Sequence, residues 1–198
     1  MKKILIVGSG GQIGTELVKK LRATYGNDSV VASDLRQLTG EIAENGPFDR
    51  IDSTQVMQIV DVVKKHNIDT IYNLAAILSA TAEKNPMLGW NVGIGSLVNC
   101  LEVARAFGCA VFTPSSIGAF GPSTPRDNTP QDTIQRPNTI YGVTKVTGEL
   151  LSDYYFTRFG VDTRSVRFPG LISNLTLPGG GTTDYAVEIY YRKSSLAG

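Results

Sequence analysis

The sequence is poor in cysteine, in histidine and in long apolar runs, and each shortage excludes a class of site. Cys100 and Cys109 are the two cysteines. Their spacing is not that of a metal site and both adjoin apolar residues, so we expect buried, reduced thiols and no metal. The single histidine, His66, follows Lys64 and Lys65 at the end of a helical pattern, where we expect a solvated residue and not a catalyst.

An excess of charge of either sign is also missing. The chain has 19 Lys and Arg residues against 18 Asp and Glu residues, without a basic or acidic block. We therefore expect neither a nucleic acid nor a membrane surface as a partner. No run of about 18 apolar residues is present, and the first predicted strand starts too close to the N-terminus to follow a signal peptide. The sequence predicts a cytoplasmic protein with one large domain.

Apolar runs typical of buried strands alternate with helical patterns along the chain. Strands are predicted at residues 4–7, 30–34, 70–74, 110–113 and 163–167, with a short third strand within 40–52. The first predicted helix contains Leu17 and Leu21, and further helices are predicted at residues 56–67, 91–107 and 141–159. This alternation predicts an α/β fold with a doubly wound parallel sheet of the Rossmann type.

A glycine-rich turn follows the first predicted strand. Gly8, Gly11 and Gly14 have a G-x-x-G-x-x-G spacing, in which absent side chains let the backbone approach a pyrophosphate near a helix N-terminus. Asp34 ends the second predicted strand, where a carboxylate accepts both hydroxyls of an adenosine ribose. We therefore predict NAD as the cofactor in preference to NADP, although Arg36 is a residue that could favour NADP.

Residues suited to acid–base chemistry follow the later strands, at the edge of the sheet where ligands bind. Tyr141 and Lys145 are one helical turn apart on one face, and a nearby cation favours the deprotonated form of a phenol. Ser116 follows the fifth strand. Tyr141 would then take a hydroxyl proton while Ser116 holds the oxygen, and hydride would leave the same carbon for the nicotinamide.

These motifs together resemble the extended short-chain dehydrogenase/reductase superfamily, the relatives of UDP-galactose 4-epimerase. Residues 77–86, 114–122 and 168–173, with 178–186, are similar to the epimerase-like L-threonine 3-dehydrogenases. The resemblance implies NAD-dependent oxidation of the C3 hydroxyl of L-threonine to 2-amino-3-ketobutyrate, without metal. It also implies a single NAD-binding Rossmann domain over residues 1–198, in which 169–198 begin the substrate-binding region and the C-terminal substrate lobe is missing.

The resemblance also implies roles for individual residues. Tyr141 is the general base, Lys145 tunes it and binds the nicotinamide ribose, and Ser116 is the hydroxyl partner. The implied substrate contacts are Ser79, Ser116, Tyr141, Thr182 and Asp184. The implied cofactor contacts are Gly8, Gly11, Gln12, Ile13, Gly14, Asp34, Asp49 on the adenine side, Leu74, Ala75, Ala76, Asn91, Tyr141, Lys145 and Pro169.

Two other functions remain open: a nucleotide-sugar epimerase or dehydratase of the same superfamily, and a non-catalytic NAD-binding module. The string Gly179–Asp184 argues against the first, since it suits a small amino acid better than a diphosphate sugar. We also expect a homodimer, because the superfamily pairs subunits through the helices that correspond to 91–107 and 141–159. The first of these helices has too many apolar positions for one buried stripe, which favours a second contact surface. These positions are Val92, Leu97, Val98, Leu101 and Val103.

Overall fold

The structure is a computed structural model that describes residues 2–172 and residue 189. Its strands are β1 (Ile4–Val7), β2 (Val30–Asp34), β3 (Phe48–Arg50), β4 (Thr70–Asn73), β5 (Ala110–Phe112), β6 (Ser115–Ser116), β7 (Thr163–Arg164) and β8 (Arg167–Phe168). Its α-helices are α1 (Gln12–Tyr25), α2 (Glu41–Glu44), α3 (Val56–His66), α4 (Ser79–Lys84), α5 (Pro86–Trp90), α6 (Ser96–Phe107) and α7 (Ile140–Phe159).

Six of the strands form one parallel sheet in the order β3-β2-β1-β4-β5-β7. β1 is central: Ile4 to Val7 pair in register with Val30 to Ser33 on one side and with Thr70 to Asn73 on the other. Side chains alternate along β1, so that Leu5 and Val7 join one buried apolar cluster and Ile4 and Ile6 join another. Helices cover both clusters, and the predicted doubly wound parallel sheet is confirmed.

The predicted long helices are present, with one change at the start of α6. α7 extends to Gly160, where the chain turns at a positive φ of 70° that glycine adopts without strain. The helix predicted to start at Asn91 is α-helical only from Ser96, because residues 91–95 form a π-helical turn. The short helices α4 and α5 precede it. The sequence did not predict these two helices, since neither is long enough to show a helical period.

The last predicted strand, residues 163–167, is divided in the structure. β7 completes the edge of the main sheet, whereas β8 pairs with β6 in a separate two-stranded sheet. The interruption carries the chain from the sheet edge to the segment that follows β5. Ser116 therefore lies on a short strand of its own, and β8 fixes that strand in place.

Three of the apolar positions that indicated a second contact surface lie in the core. Leu97, Leu101 and Val103 are all buried, and they pack in the same core cluster as Leu5 and Ile71. Val92 and Val98 are half-buried, and the second contact surface stays a prediction. In the part of the chain that the structure describes, no helix is long and apolar enough to cross a membrane.

A buried arginine holds the short third strand against the sheet. The guanidinium of Arg22 on α1 donates to the carbonyl oxygens of Ile42 at 2.7 Å, Pro47 at 3.0 Å and Val30 at 3.3 Å. Burial lowers the pKa of Arg22 from its ordinary value. These bonds connect α1, β2 and the loop before β3, which explains how a strand of three residues keeps its register.

Candidate active site

A cleft of about 1080 Å³ opens at the carboxyl ends of the strands. It lies between β1 and β4, from which the strand order continues in opposite directions, to β2 and β3 on one side and to β5 and β7 on the other. Ligands of such sheets usually bind at this point. The implied cofactor contacts that line it are Gly8, Gly11, Gln12, Ile13, Gly14, Leu74, Ala75, Ala76, Tyr141, Lys145 and Pro169. The implied substrate contacts that line it are Ser79, Ser116 and Tyr141.

The glycine-rich turn forms one end of the cleft. A Cβ on Gly14 would lie 2.4 Å from the carbonyl oxygen of Gly8, so only glycine lets α1 start this close to β1. Gly11 is the N-cap of α1 and has no side chain with which to cap the helix. The first N–H groups of α1 are therefore suited to an anion, and the turn fits a pyrophosphate.

The segment after β4 forms the floor of the cleft. A Cβ on Gly8 would lie 3.0 Å from the backbone nitrogen of Ala75, so the two backbones are in close contact. Asn73 also lines the cleft, and its buried Oδ1 has no hydrogen-bond partner within residues 2–172. A buried acceptor without a donor is costly unless a ligand or water satisfies it. The site therefore fits a dinucleotide on two observations, the glycine cradle and this open acceptor.

Ser116 and Tyr141 approach each other across Gly118. A Cβ on Gly118 would lie 3.1 Å from Cε1 of Tyr141 and 3.4 Å from Oγ of Ser116, so both side chains flank this glycine. Ser116 Oγ accepts a hydrogen bond from the Gly118 N–H at 3.0 Å. The hydroxyl proton of Ser116 remains available to a ligand in the cleft.

Lys145 lies one turn below Tyr141 on α7. Its Nζ is 5.4 Å from the centre of the Tyr141 ring and donates to the carbonyl oxygen of Pro114 at 2.8 Å. Burial lowers the pKa of Lys145 to about 8. The structure thus brings together the three residues that the sequence predicted as catalytic, on one wall of the cleft.

Glu149, a further turn along α7, is a site residue that the sequence reasoning missed. It accepts hydrogen bonds from Arg167 Nη2 at 2.8 Å and Nε at 2.9 Å, from Gln135 at 2.9 Å and from the Ser115 hydroxyl. Burial alone would raise the pKa of Glu149, but Arg167, Ser115 and Gln135 together hold it below its ordinary value. Its position four residues after Lys145 was the available signal. Glu149 anchors the strand that carries Ser116 to the helix that carries Tyr141.

Asp34 does not itself line the cleft, although it ends β2 as predicted. Its Oδ2 accepts from the Gly10 N–H at 3.0 Å, and its Oδ1 accepts from Arg36 through the backbone N–H at 3.0 Å and Nε at 3.1 Å. Gly10 and Arg36 line the cleft in its place.

The structure does not bring Asp49 to the cleft. Its carboxylate contacts Lys65 and His66 at the end of α3, each at 2.6 Å. Burial alone would raise the pKa of Asp49, but these two partners lower it. The expectation that His66 is solvated was also wrong, because its ring is held by this carboxylate.

Asn91, Thr182 and Asp184 are the remaining predicted site residues. Asn91 is exposed at the start of the π-helical turn and does not line the cleft, whereas Gly93 of the same turn does. Thr182 and Asp184 lie outside the described residues, as does the string 178–186.

Comparisons with known proteins identify a family for the chain. The profile of the NAD dependent epimerase/dehydratase family matches residues 4–188. An uncharacterized epimerase/dehydratase of Staphylococcus saprophyticus is 60% identical over 193 residues, which are 97% of this chain and 60% of that protein.

Two solved structures are also similar. The L-threonine dehydrogenase of Clostridium difficile has a TM-score of 0.93 and 56% identity, over 97% of this chain and 60% of that one. The L-threonine 3-dehydrogenase of Trypanosoma brucei has a TM-score of 0.93 and 40% identity, over 98% of this chain and 61% of that one. The chain thus spans about 60% of the length of the relatives it matches.

Proposed function

Since the chain belongs to the NAD dependent epimerase/dehydratase family, we propose that it binds NAD and oxidises the C3 hydroxyl of L-threonine to 2-amino-3-ketobutyrate. The observation that carries the proposal is the convergence of Ser116, Tyr141 and Lys145 on one wall of a cleft whose far end is the glycine cradle. Such an arrangement is suited to removing a proton and a hydride from one carbinol. The identity to two threonine dehydrogenases, 56% and 40%, supports threonine as the substrate.

Ser116, Tyr141 and Lys145 each have a separate role in the proposed proton transfer. The Ser116 hydroxyl donates to the substrate oxygen, since its own Oγ is already held by the Gly118 N–H. Tyr141 accepts the hydroxyl proton as the C3–O bond becomes a carbonyl. The Nζ of Lys145 lies 5.4 Å from the centre of the Tyr141 ring and places a positive charge beside the group that takes the proton. NAD, when bound, supplies the hydride acceptor.

The cofactor residues of the proposal are the glycine turn, the backbone of residues 74–76 and Lys145. The turn and the N-terminus of α1 would hold the pyrophosphate through N–H groups, so no basic cluster is needed there. Lys145 keeps two N–H groups beyond the one bound to Pro114, and these are available to the nicotinamide ribose.

The proposal is tested by following NADH formation with L-threonine, and by chromatography of UDP-glucose and UDP-galactose after incubation with the chain and NAD, because epimerisation returns the hydride and forms no net NADH. NADH formation with L-threonine alone supports it. Conversion of the UDP-sugars would assign the chain to the epimerases, and NAD binding without turnover of any substrate would assign it to the non-catalytic modules. Tyr141→Phe should reduce turnover by about 10²- to 10⁴-fold at unchanged NAD affinity. Tyr154→Phe, on the exposed face of the same helix, is the matched control and should change neither.

A further inference from the structure

The carboxylate of Asp34 is covered by Arg36. The Asp34 side chain is 9% exposed, whereas that of Arg36 is 67% exposed and lies on the cleft side. Arg36 also donates from Nη2 to the Gly10 carbonyl oxygen at 3.1 Å, so its guanidinium spans from the carboxylate to the glycine turn. The cleft therefore meets Arg36 where an adenosine ribose would be expected to meet Asp34.

The hydrogen bonds already made leave little capacity on the carboxylate. A carboxylate offers about four acceptor sites. Arg36 N–H and Nε occupy two on Oδ1, and the Gly10 N–H occupies one on Oδ2. One site remains on Oδ2. A single hydroxyl can therefore bind with Arg36 in place, but two vicinal hydroxyls cannot, because the second needs the site that Nε holds.

We propose that Arg36 is a gate over Asp34, which the two hydroxyls of the adenosine ribose open when NAD binds. The backbone N–H of Arg36 keeps its bond to Asp34, and the Nε–H is exchanged for a ribose hydroxyl. The exposed guanidinium can make this movement without disturbing the core. The inference rests on the proposed cofactor and is independent of the proposed substrate.

ADP and 2′-deoxy-ADP provide the test, since both carry the adenine and the pyrophosphate but differ by one ribose hydroxyl. The signal of the Arg36 Nε–H in ¹⁵N-labelled protein, assigned by its absence in Arg36→Lys, reports the bond to Asp34. We expect ADP to shift or remove this signal at saturation and 2′-deoxy-ADP to leave it in place. An unchanged signal with bound ADP overturns the gate while the cofactor assignment stands. Absence of ADP binding overturns both.

Affinities give a second readout. Arg36→Met has no side-chain donor to compete for Asp34. Its preference for ADP over 2′-deoxy-ADP should therefore exceed that of the unmodified chain by about two- to fivefold, the range that exposed ion pairs contribute. Arg50→Met is the matched control, since it removes an exposed arginine from the paired position on β3 and leaves the Asp34–Arg36 bond intact. An unchanged preference in Arg36→Met contradicts the gate. A failure to oxidise threonine does not bear on it.

Discussion

Gly142 lies so close to Gly118 that a Cβ on Gly142 would be 2.3 Å from the Gly118 carbonyl oxygen. The same Cβ would be 2.5 Å from the Cβ of Pro137. Because Gly118 separates Ser116 from Tyr141, this contact sets the spacing of the two residues that we propose hold the substrate oxygen. The first turn of α7 is therefore fixed to the segment after β6 by backbone contact.

Gly142→Ala should destabilise the protein and impair turnover together. The added methyl group meets backbone that cannot yield without moving Ser116, so we expect a loss of about 1–3 kcal/mol in the free energy of unfolding. Thermal unfolding and NADH formation measure the two effects. Gly95→Ala is the control, since a Cβ there meets nothing within 4 Å and alanine is the better helix former. Equal stability of the two variants would contradict the close contact.

The chain should bind NAD at least about tenfold more tightly than NADP, because the carboxylate of Asp34 repels a 2′-phosphate. Isothermal titration calorimetry with both cofactors measures the ratio. Arg36→Met should widen the ratio by removing the cation that forms an ion pair with Asp34. Equal affinity for the two cofactors would instead assign the 2′-phosphate to Arg36.

Lys145 should make stability depend on pH in the alkaline range. Its pKa is about 8 in the folded protein against 10.5 for an ordinary lysine, so between these values the unfolded chain binds the additional proton. The free energy of unfolding should therefore rise with pH from about 8 to 10.5, by about 1–3 kcal/mol relative to Lys145→Met. Urea unfolding at a series of pH values gives the difference. A difference that stays flat, as expected for the exposed Lys20→Met control, would show that Lys145 keeps an ordinary pKa.

A homodimer is expected on different evidence from that in the sequence. Val143, Leu150 and Tyr154 are 38%, 63% and 53% exposed and share one face of α7. Light scattering should give about twice the chain mass of 21.3 kDa, and Leu150→Arg should reduce it to one chain. Met57→Arg, an exposed apolar position on α3, should not change the mass. A mass of one chain at all micromolar concentrations would exclude this interface.

The order of elements and the helix that carries Tyr141 and Lys145 could be predicted from sequence because both depend on local patterns. The run Ile4–Val7 is apolar on both faces, as a central parallel strand must be. Tyr141 and Lys145 are neighbours through helical geometry alone, whatever packs around them. Local patterns along the chain were thus sufficient to predict the glycine turn, the alternation of strands and helices, and the pairing of Tyr141 with Lys145.

Tertiary structure alone decided which charged groups face the cleft. The resemblance implies an adenine contact for Asp49 on β3, yet Lys65 and His66 at the end of α3 contact its carboxylate. Arg36 turns back over Asp34, and Glu149 meets Arg167 from a strand 18 residues away. A carboxylate takes whichever donors the packing of distant elements brings within about 3 Å, and periodicity along the chain carries no information about those donors.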